Sequence, residues 1–232
     1  MISEKAFQDS AKQIGCAVSV IKAVAEVESG SSGFLENGDL KILFEPYVFG
    51  RLTGGKYKDK TVTITQTKKD AHGKEYPFTF TYPLSLTGNW DIHACHYGDP
   101  GIQWQKVQAA ILLDKNAAQE SCSYGKFQVM GFNHDLAGYP SAEAMLNDFK
   151  ISEDRHLQAF TYFIIKSGMA PDLISHNFKR FAIRYNGLGY DKHTPTRLDD
   201  YDYLLEQAEK KYLIPEKPSD GDAAIKPVEL VR

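Results

Sequence analysis

Two hydropathy periods share this chain, and their order restricts it to few folds. Residues 61–65 (Thr-Val-Thr-Ile-Thr) and 78–82 (Phe-Thr-Phe-Thr-Tyr) alternate with period two, and the polar run Lys68-Lys69-Asp70-Ala71-His72-Gly73-Lys74 separates them. That is the pattern of a β-hairpin. On both sides the period is helical. Ser3 to Glu28 reads as one helix with Ile14, Ala17, Val18, Ile21, Val24 and Ala25 on its apolar side. Trp104 to Lys115 follows, with Val107, Ile111, Trp104 and Gln108 inward, and Ser141 is placed to cap a helix at Ala144. Ser152–Lys166 buries Leu157, Phe160 and Ile164. Phe178, Phe181, Ala182 and Tyr185 recur at helical spacing until Asn186-Gly187 stops them, and a last helix spans 198–212. With the short apolar element Ile42-Leu43-Phe44, the expectation is an α+β fold, mainly α, with a small inserted β-hairpin.

The 232 residues are enough for one globular domain with a short appendage. A net charge of −3 is too balanced for nucleic acid to be held by bulk electrostatics. Residues 51–75 nevertheless hold seven Lys and Arg against three Asp and Glu. This local excess reads as a solvated hairpin tip, with a patch for an anionic polymer as the alternative. No apolar run reaches the ~20 residues of a membrane helix, so no membrane insertion is expected. The opening MISEKAFQDSAK lacks the basic start and apolar core of a secretory signal, which predicts synthesis in the cytoplasm without a leader. Cys16, Cys95 and Cys122 predict no structural disulfide. His93, Cys95, His96 and Asp99 offer metal ligands in a short span, but no second cluster lies near them, and neither metal nor cofactor is expected. The serine-hydrolase, zincin and P-loop signatures do not occur.

Glu28 is the residue that stands out. At 100° per residue it falls about 20° from Ile21, inside the apolar stripe, whereas Glu26 points about 140° away. Ser29-Gly30-Ser31-Ser32-Gly33 ends the helix immediately afterwards. Burial and the helix C-terminus both disfavour the anion, so a raised pKa is expected, as a general acid requires. A glutamate paired with a core cation is the competing reading. Asp39, after Asn37-Gly38, reads as a turn residue rather than a second catalytic carboxylate.

The constellation around Glu28 resembles a known family. Ala25-Glu26-Val27-Glu28-Ser29-Gly30, Ile42-Leu43-Phe44-Glu45, the run Ser123 to Asn133 (SYGKFQVMGFN) and Arg184-Tyr185-Asn186-Gly187 are similar, in order, to the N-acetylmuramidase domain of phage and prophage endolysins. That family is itself similar to goose-type lysozymes and soluble lytic transglycosylases. The resemblance spans about residues 14 to 205 and is weakest over 56–100. It implies a lysozyme-like helical core, with 1–214 as the catalytic domain, a β-rich insertion at about 56–100 and a polar tail at 215–232.

It also implies a function. Glu28 matches the family's general acid and Glu45 its second acidic residue, while Ser29, Tyr124, Gln128, Tyr185 and Asn186 match cleft positions. The activity implied is hydrolysis of the β-1,4 bond between N-acetylmuramic acid and N-acetylglucosamine in peptidoglycan. Inversion is expected, which needs carboxyl groups roughly 6.5–9.5 Å apart. The rival readings are a lytic transglycosylase making 1,6-anhydro products and a non-catalytic glycan binder. A monomer acting on glycan strands is expected, with the wall reached through a pore, a secretion system or lysis, as a phage endolysin or a secreted antibacterial effector.

Overall fold

The computed structural model describes residues 1–29, 32–89, 91–187, 196, 198 and 200–213. The side chains of Ser29 and Ile92, the Gly30-Ser31 step and the tail expected from 215 onward lie outside the described residues.

The first helix is interrupted where the sequence reading ran it straight through. Helix α1 (Glu4–Ile14) starts at Ser3, whose hydroxyl accepts from the Ala6 amide, and ends at Gly15, φ 88°. Glycine adopts that left-handed cap without strain and donates to Ala11 O at 2.8 Å. Helix α2 (Val18–Ser29) therefore begins on a new phase. Ala17 is exposed, and Val20, Ile21, Ala23, Val24 and Ala25 are buried almost all round. Such a helix is a central one, covered on several sides.

Along the chain follow strand β1 (Ile42–Phe44), helix α3 (Pro46–Leu52), the hairpin strands β2 (Thr61–Lys69) and β3 (Glu75–Pro83), and the short helix α4 (Ile92–Cys95). A 3-10 turn at Pro100–Ile102 leads into α5 (Gln103–Ile111), then α6 (Lys115–Glu120), β4 (Cys122–Tyr124) and β5 (Val129–Met130). Helices α7 (Ala142–Phe149), α8 (Glu153–Lys166), α9 (Ala170–Ile174), α10 (Phe178–Asn186) and α11 (Tyr201–Leu213) are the remaining elements among the described residues. The fold is mainly helical with two small sheets. One has the order β1-β4-β5, all antiparallel, with Ile42 opposite Tyr124 and Phe44 opposite Cys122. The other is the hairpin alone, register Thr61 to Pro83 through Lys69 to Glu75.

Helix α11 packs along α2 although about 180 residues separate them in sequence, and α1 lies against α8 and α2. The core gathers Ile21 and Val24 with Phe44, Phe49, Phe149, Phe160, Phe181 and Leu205. Each fully buried side chain of this kind stabilises the fold by roughly 1.5–3 kcal/mol. A separate small cluster of Ile64, Tyr82 and Ile102 anchors the base of the hairpin.

The α5 region departs from expectation. Helix α5 ends at Ile111, and Asp114 caps α6 by accepting from the Ala117 amide. Gln108 is exposed rather than inward, while Gln103, Lys106, Val107 and Ala110 form the buried face. The wheel turns because Trp104 is held at the edge of the core, its indole N–H donating to Leu40 O at 2.9 Å.

Candidate active site

Glu28 occupies the last turn of α2, half-buried. The Tyr201 hydroxyl, at the start of α11, donates to its Oε1. Tyr201 stacks on Tyr185 (6.4 Å, 20°), and Tyr185 stacks on Phe181 (5.3 Å, 17°). A row of parallel rings from α10 and α11 thus ends at the carboxyl. Burial among them pushes Glu28 up to about 7, against the Tyr201 hydrogen bond, which favours the anion. Tyr201 itself is held well above the usual phenol range by burial and by Glu28, so it remains a donor. Glu26 does point outward, where Lys211 and Tyr212 of α11 bind it.

The ring row is fixed from behind. Asp172 of α9 is 1% exposed and accepts from Arg180 (3.2 Å) and Arg184 (2.9 Å) of α10. Arg184 also donates to the carbonyls of Ser167 and Gly168 at the end of α8. These bonds set the rotation of α10, and with it Tyr185, whose hydroxyl donates to Phe127 O at 2.7 Å. Asn186, one residue on, is exposed at the helix end, and Gly187 follows at φ 91°.

Glu45 sits where β1 passes into α3. Pro46 opens that helix and disfavours helical backbone at the residue before it, and Glu45 is extended (φ −106°, ψ 98°). Its carboxyl does not cap the helix. It accepts instead from the Tyr97 hydroxyl at 2.6 Å. Beside it lies Lys106, 0% exposed, its ammonium 5.3–5.9 Å from the ring centres of Phe44, Tyr82 and Tyr97 and near the carbonyls of His96 and Tyr97. Burial pushes this lysine down to about 8, with Cys95 and Glu45 working against that shift. Burial likewise raises the Glu45 carboxyl, while Tyr97 and Lys106 restrain it. Two half-buried carboxyls therefore have separate partners: Glu28 on the α10–α11 side, Glu45 on the α5 side.

The β4–β5 turn is joined to the segment after α2 through Lys41. Gly33, just past α2, accepts from the Lys41 amide, and Lys41 O accepts from the Gly125 amide at 2.8 Å. His156 of α8 supports this junction. Its Nε2 is 2.7 Å from Phe149 O and its Nδ1 accepts from the Lys126 amide. Burial lowers its pKa, which keeps the ring neutral. A Cβ on Gly33 or Gly125 would lie 2.7–2.8 Å from that ring, and Gly125 also has φ 68°. The glycines are what let the two loops meet over His156.

Gln128 holds the turn in a left-handed conformation, φ 46°. Its amide donates to Gly125 O (2.7 Å) and its Oε1 accepts from Ser123 (2.8 Å). Tyr124, expected at the cleft, is 1% exposed with its hydroxyl donating to Gln119 O. It is therefore a floor beneath the turn rather than a surface for ligand. The whole of β4 is covered, Cys122 and Ser123 included, and Tyr124 lies opposite Ile42. Asp39 is a turn residue, bonded to Asn37. Among the described residues no three His, Cys, Asp or Glu side chains converge as metal ligands.

The family model for N-acetylmuramidase matches residues 17–213, most of the chain. The chain belongs to the N-acetylmuramidase family. Among solved structures this muramidase is similar to a Burkholderia AP3 phage endolysin, at 25% identity and a TM-score of 0.68, over 91% of this chain and 70% of that one. No curated protein matches it in sequence. The muramidase is thus a glycoside hydrolase with a lysozyme-like fold. No helix among its described residues is long and apolar enough to cross a membrane.

The muramidase's site includes three side chains that sequence reasoning passed over: Tyr201, Tyr97 and Lys106. Lys106 carried a usable signal, since Gln103, Lys106, Val107 and Ala110 share one helical face at spacings i, i+3, i+4 and i+7. Tyr97 and Tyr201 carried none, because their partners lie 52 and 173 residues away.

Proposed function

We propose that this muramidase hydrolyses the β-1,4 bond from N-acetylmuramic acid to N-acetylglucosamine, with Glu28 as general acid and Glu45 as second carboxylate. The observation that carries the reading is the Glu28 carboxyl itself, raised to about 7 in a half-buried position at a helix C-terminus. Such a group keeps a substantial protonated fraction near pH 7 and can donate to the glycosidic oxygen as charge develops on the sugar carbon. Burial raises the Glu45 carboxyl, and the Tyr97 donor and the Lys106 cation oppose that rise by favouring its ionised form. In that form it takes the proton of an attacking water, and an inverting outcome requires the two carboxyls to stand roughly 6.5–9.5 Å apart.

In this reading Ser29, Gln128, Tyr185 and Asn186 border the glycan strand. Gln128 acts through the shape of the β4–β5 turn, because its amide is engaged internally. Residues 1–214 act as one catalytic unit carrying the β-rich insertion at 56–100, as a monomer. The enzyme would reach the wall after release through a pore, a secretion system or lysis.

Mass spectrometry of digested wall tests the chemistry. Hydrolysis leaves reducing muramic acid ends, whereas 1,6-anhydro products, lighter by one water, would establish a transglycosylase instead. Glu28→Gln is expected to lower the release of reducing ends by at least about 100-fold. Near-normal lysis by that variant would assign the acid elsewhere.

A further inference from the structure

The two faces of the hairpin differ sharply in chemistry. One carries threonines paired across the strands, Thr63 with Thr81 (2.9 Å) and Thr65 with Thr79 (2.8 Å), all exposed. The other carries Tyr76, Phe78, Phe80 and Tyr82 at every second position of β3, facing Lys68, Gln66, Ile64 and Val62 of β2. At the base this aromatic face is covered: Tyr82 is 4% exposed and packs on Ile102. Towards the tip the cover ends, with Phe78 and Phe80 half-buried and Tyr76 exposed.

The uncovered part is a groove of about 200 Å³, lined by Lys68, Phe78, Phe80, Tyr82, His96 and Gly98. Phe78 and Phe80 lie nearly parallel (6.3 Å, 12°) and form a shelf. Tyr82 and His96 tilt up from it by 55° and 57°. Lys68 closes the other side, 4.4 Å above the Phe78 ring and 3.5 Å from Asp99. Opposite Phe78, the Gln66 Oε1 is buried with no hydrogen-bond partner. A buried acceptor left unpaired destabilises the fold, and such groups are rare.

The groove and the Glu45 environment share Tyr82. Tyr82 stands between them, one side in the groove and its ring under Lys106, which faces Tyr97, the donor to Glu45. His96, in the groove wall, is the residue before Tyr97.

Resting on the muramidase reading, we infer that this groove is an outlying subsite for an N-acetylated sugar of the same glycan strand. A pyranose presents an apolar C–H face that stacks on flat aromatic rings, as Phe78 and Phe80 provide. Its hydroxyls find a donor in Lys68 at the edge of that shelf. A few placed polar groups over an apolar floor are the composition of a ligand site, and the volume is that of one sugar ring rather than a larger ligand. The strand would run from the carboxyls along the hairpin, gaining affinity for long glycans over short ones.

Titration calorimetry in a Glu28→Gln background tests this, using soluble peptidoglycan glycan strands and the single disaccharide. Phe78→Leu keeps the apolar packing and removes the ring; it should weaken strand binding about fivefold and leave disaccharide binding unchanged. Phe78→Trp should retain or tighten strand binding. Strand affinity unchanged in Phe78→Leu, or Leu and Trp variants that behave alike, would overturn the subsite, while lysis by the wild-type enzyme would leave the muramidase reading intact. Uptake of phospholipid vesicles, or dimerisation, at Phe78 in place of glycan would overturn the subsite too. If the parent bound neither strand nor disaccharide and the wild-type chain released no reducing ends, both would fall together.

Discussion

At the scale of single residues, the proposed chemistry turns on how Glu28 holds its proton. Its carboxyl titrates near 7 in the fold against an ordinary 4.5, so the folded state binds the proton more tightly. Stability is therefore greatest below about 4.5 and falls as pH rises through about 7. Glu28→Gln removes that dependence. Its melting temperature relative to wild type should climb between those two values and then level off, with a ceiling of about 3 kcal/mol. Parallel melts across that range measure it. Activity should decline on the alkaline side of about 7, where the acid is spent. Tyr201 donates to the carboxylate and so favours ionisation; Tyr201→Phe should move the alkaline limb of the kcat/KM profile to higher pH. A shift in the other direction would mean that the hydroxyl acts on another group. Glu28 was visible in the sequence because a helical wheel needs only its neighbours. Its donor was not, because Tyr201 comes from the far end of the chain.

At the scale of elements, the sequence was legible wherever one local pattern decides the outcome. The hairpin, the Ser141 cap and the stop at Gly187 all depend on residues within one turn of each other. It was not legible where a glycine overrides a continuing period, as Gly15 does, or where a side chain meets its partner far along the chain, as Tyr97 meets Glu45. The junction over His156 belongs to the second kind. Gly125→Ala there combines a left-handed backbone with a 2.8 Å approach to the imidazole, and should cost about 1–3 kcal/mol in thermal or denaturant unfolding. Removing the ring as well, in Gly125→Ala with His156→Ala, should cost less than the sum of the two single changes.

For the whole molecule, net charge is a poor guide to where a polyanion would dock. The total of −3 conceals the positive excess over 51–75. Neutralising Lys68, Lys69 and Lys74 together should weaken binding to isolated walls at low ionic strength, with the difference closing as salt shortens the Debye length below about 8 Å. Pull-down across a salt series reads it directly, and identical binding at every salt would remove the hairpin charges from targeting. The effect should be modest, since Lys68 and Lys69 already face Asp99 and Glu75 at 3.5 Å.

The hydrogen bond from Tyr201 to Glu28 also sets a clock. At about 5–20 residues per second, the ribosome makes the glutamate many seconds before the tyrosine. Through that interval α2 has emerged without α11 to lie along it, and the acid faces water with an ordinary acidity. A nascent or prematurely ended chain therefore carries the carboxyl without the raised proton affinity it has in the fold. That affinity arrives only with α11.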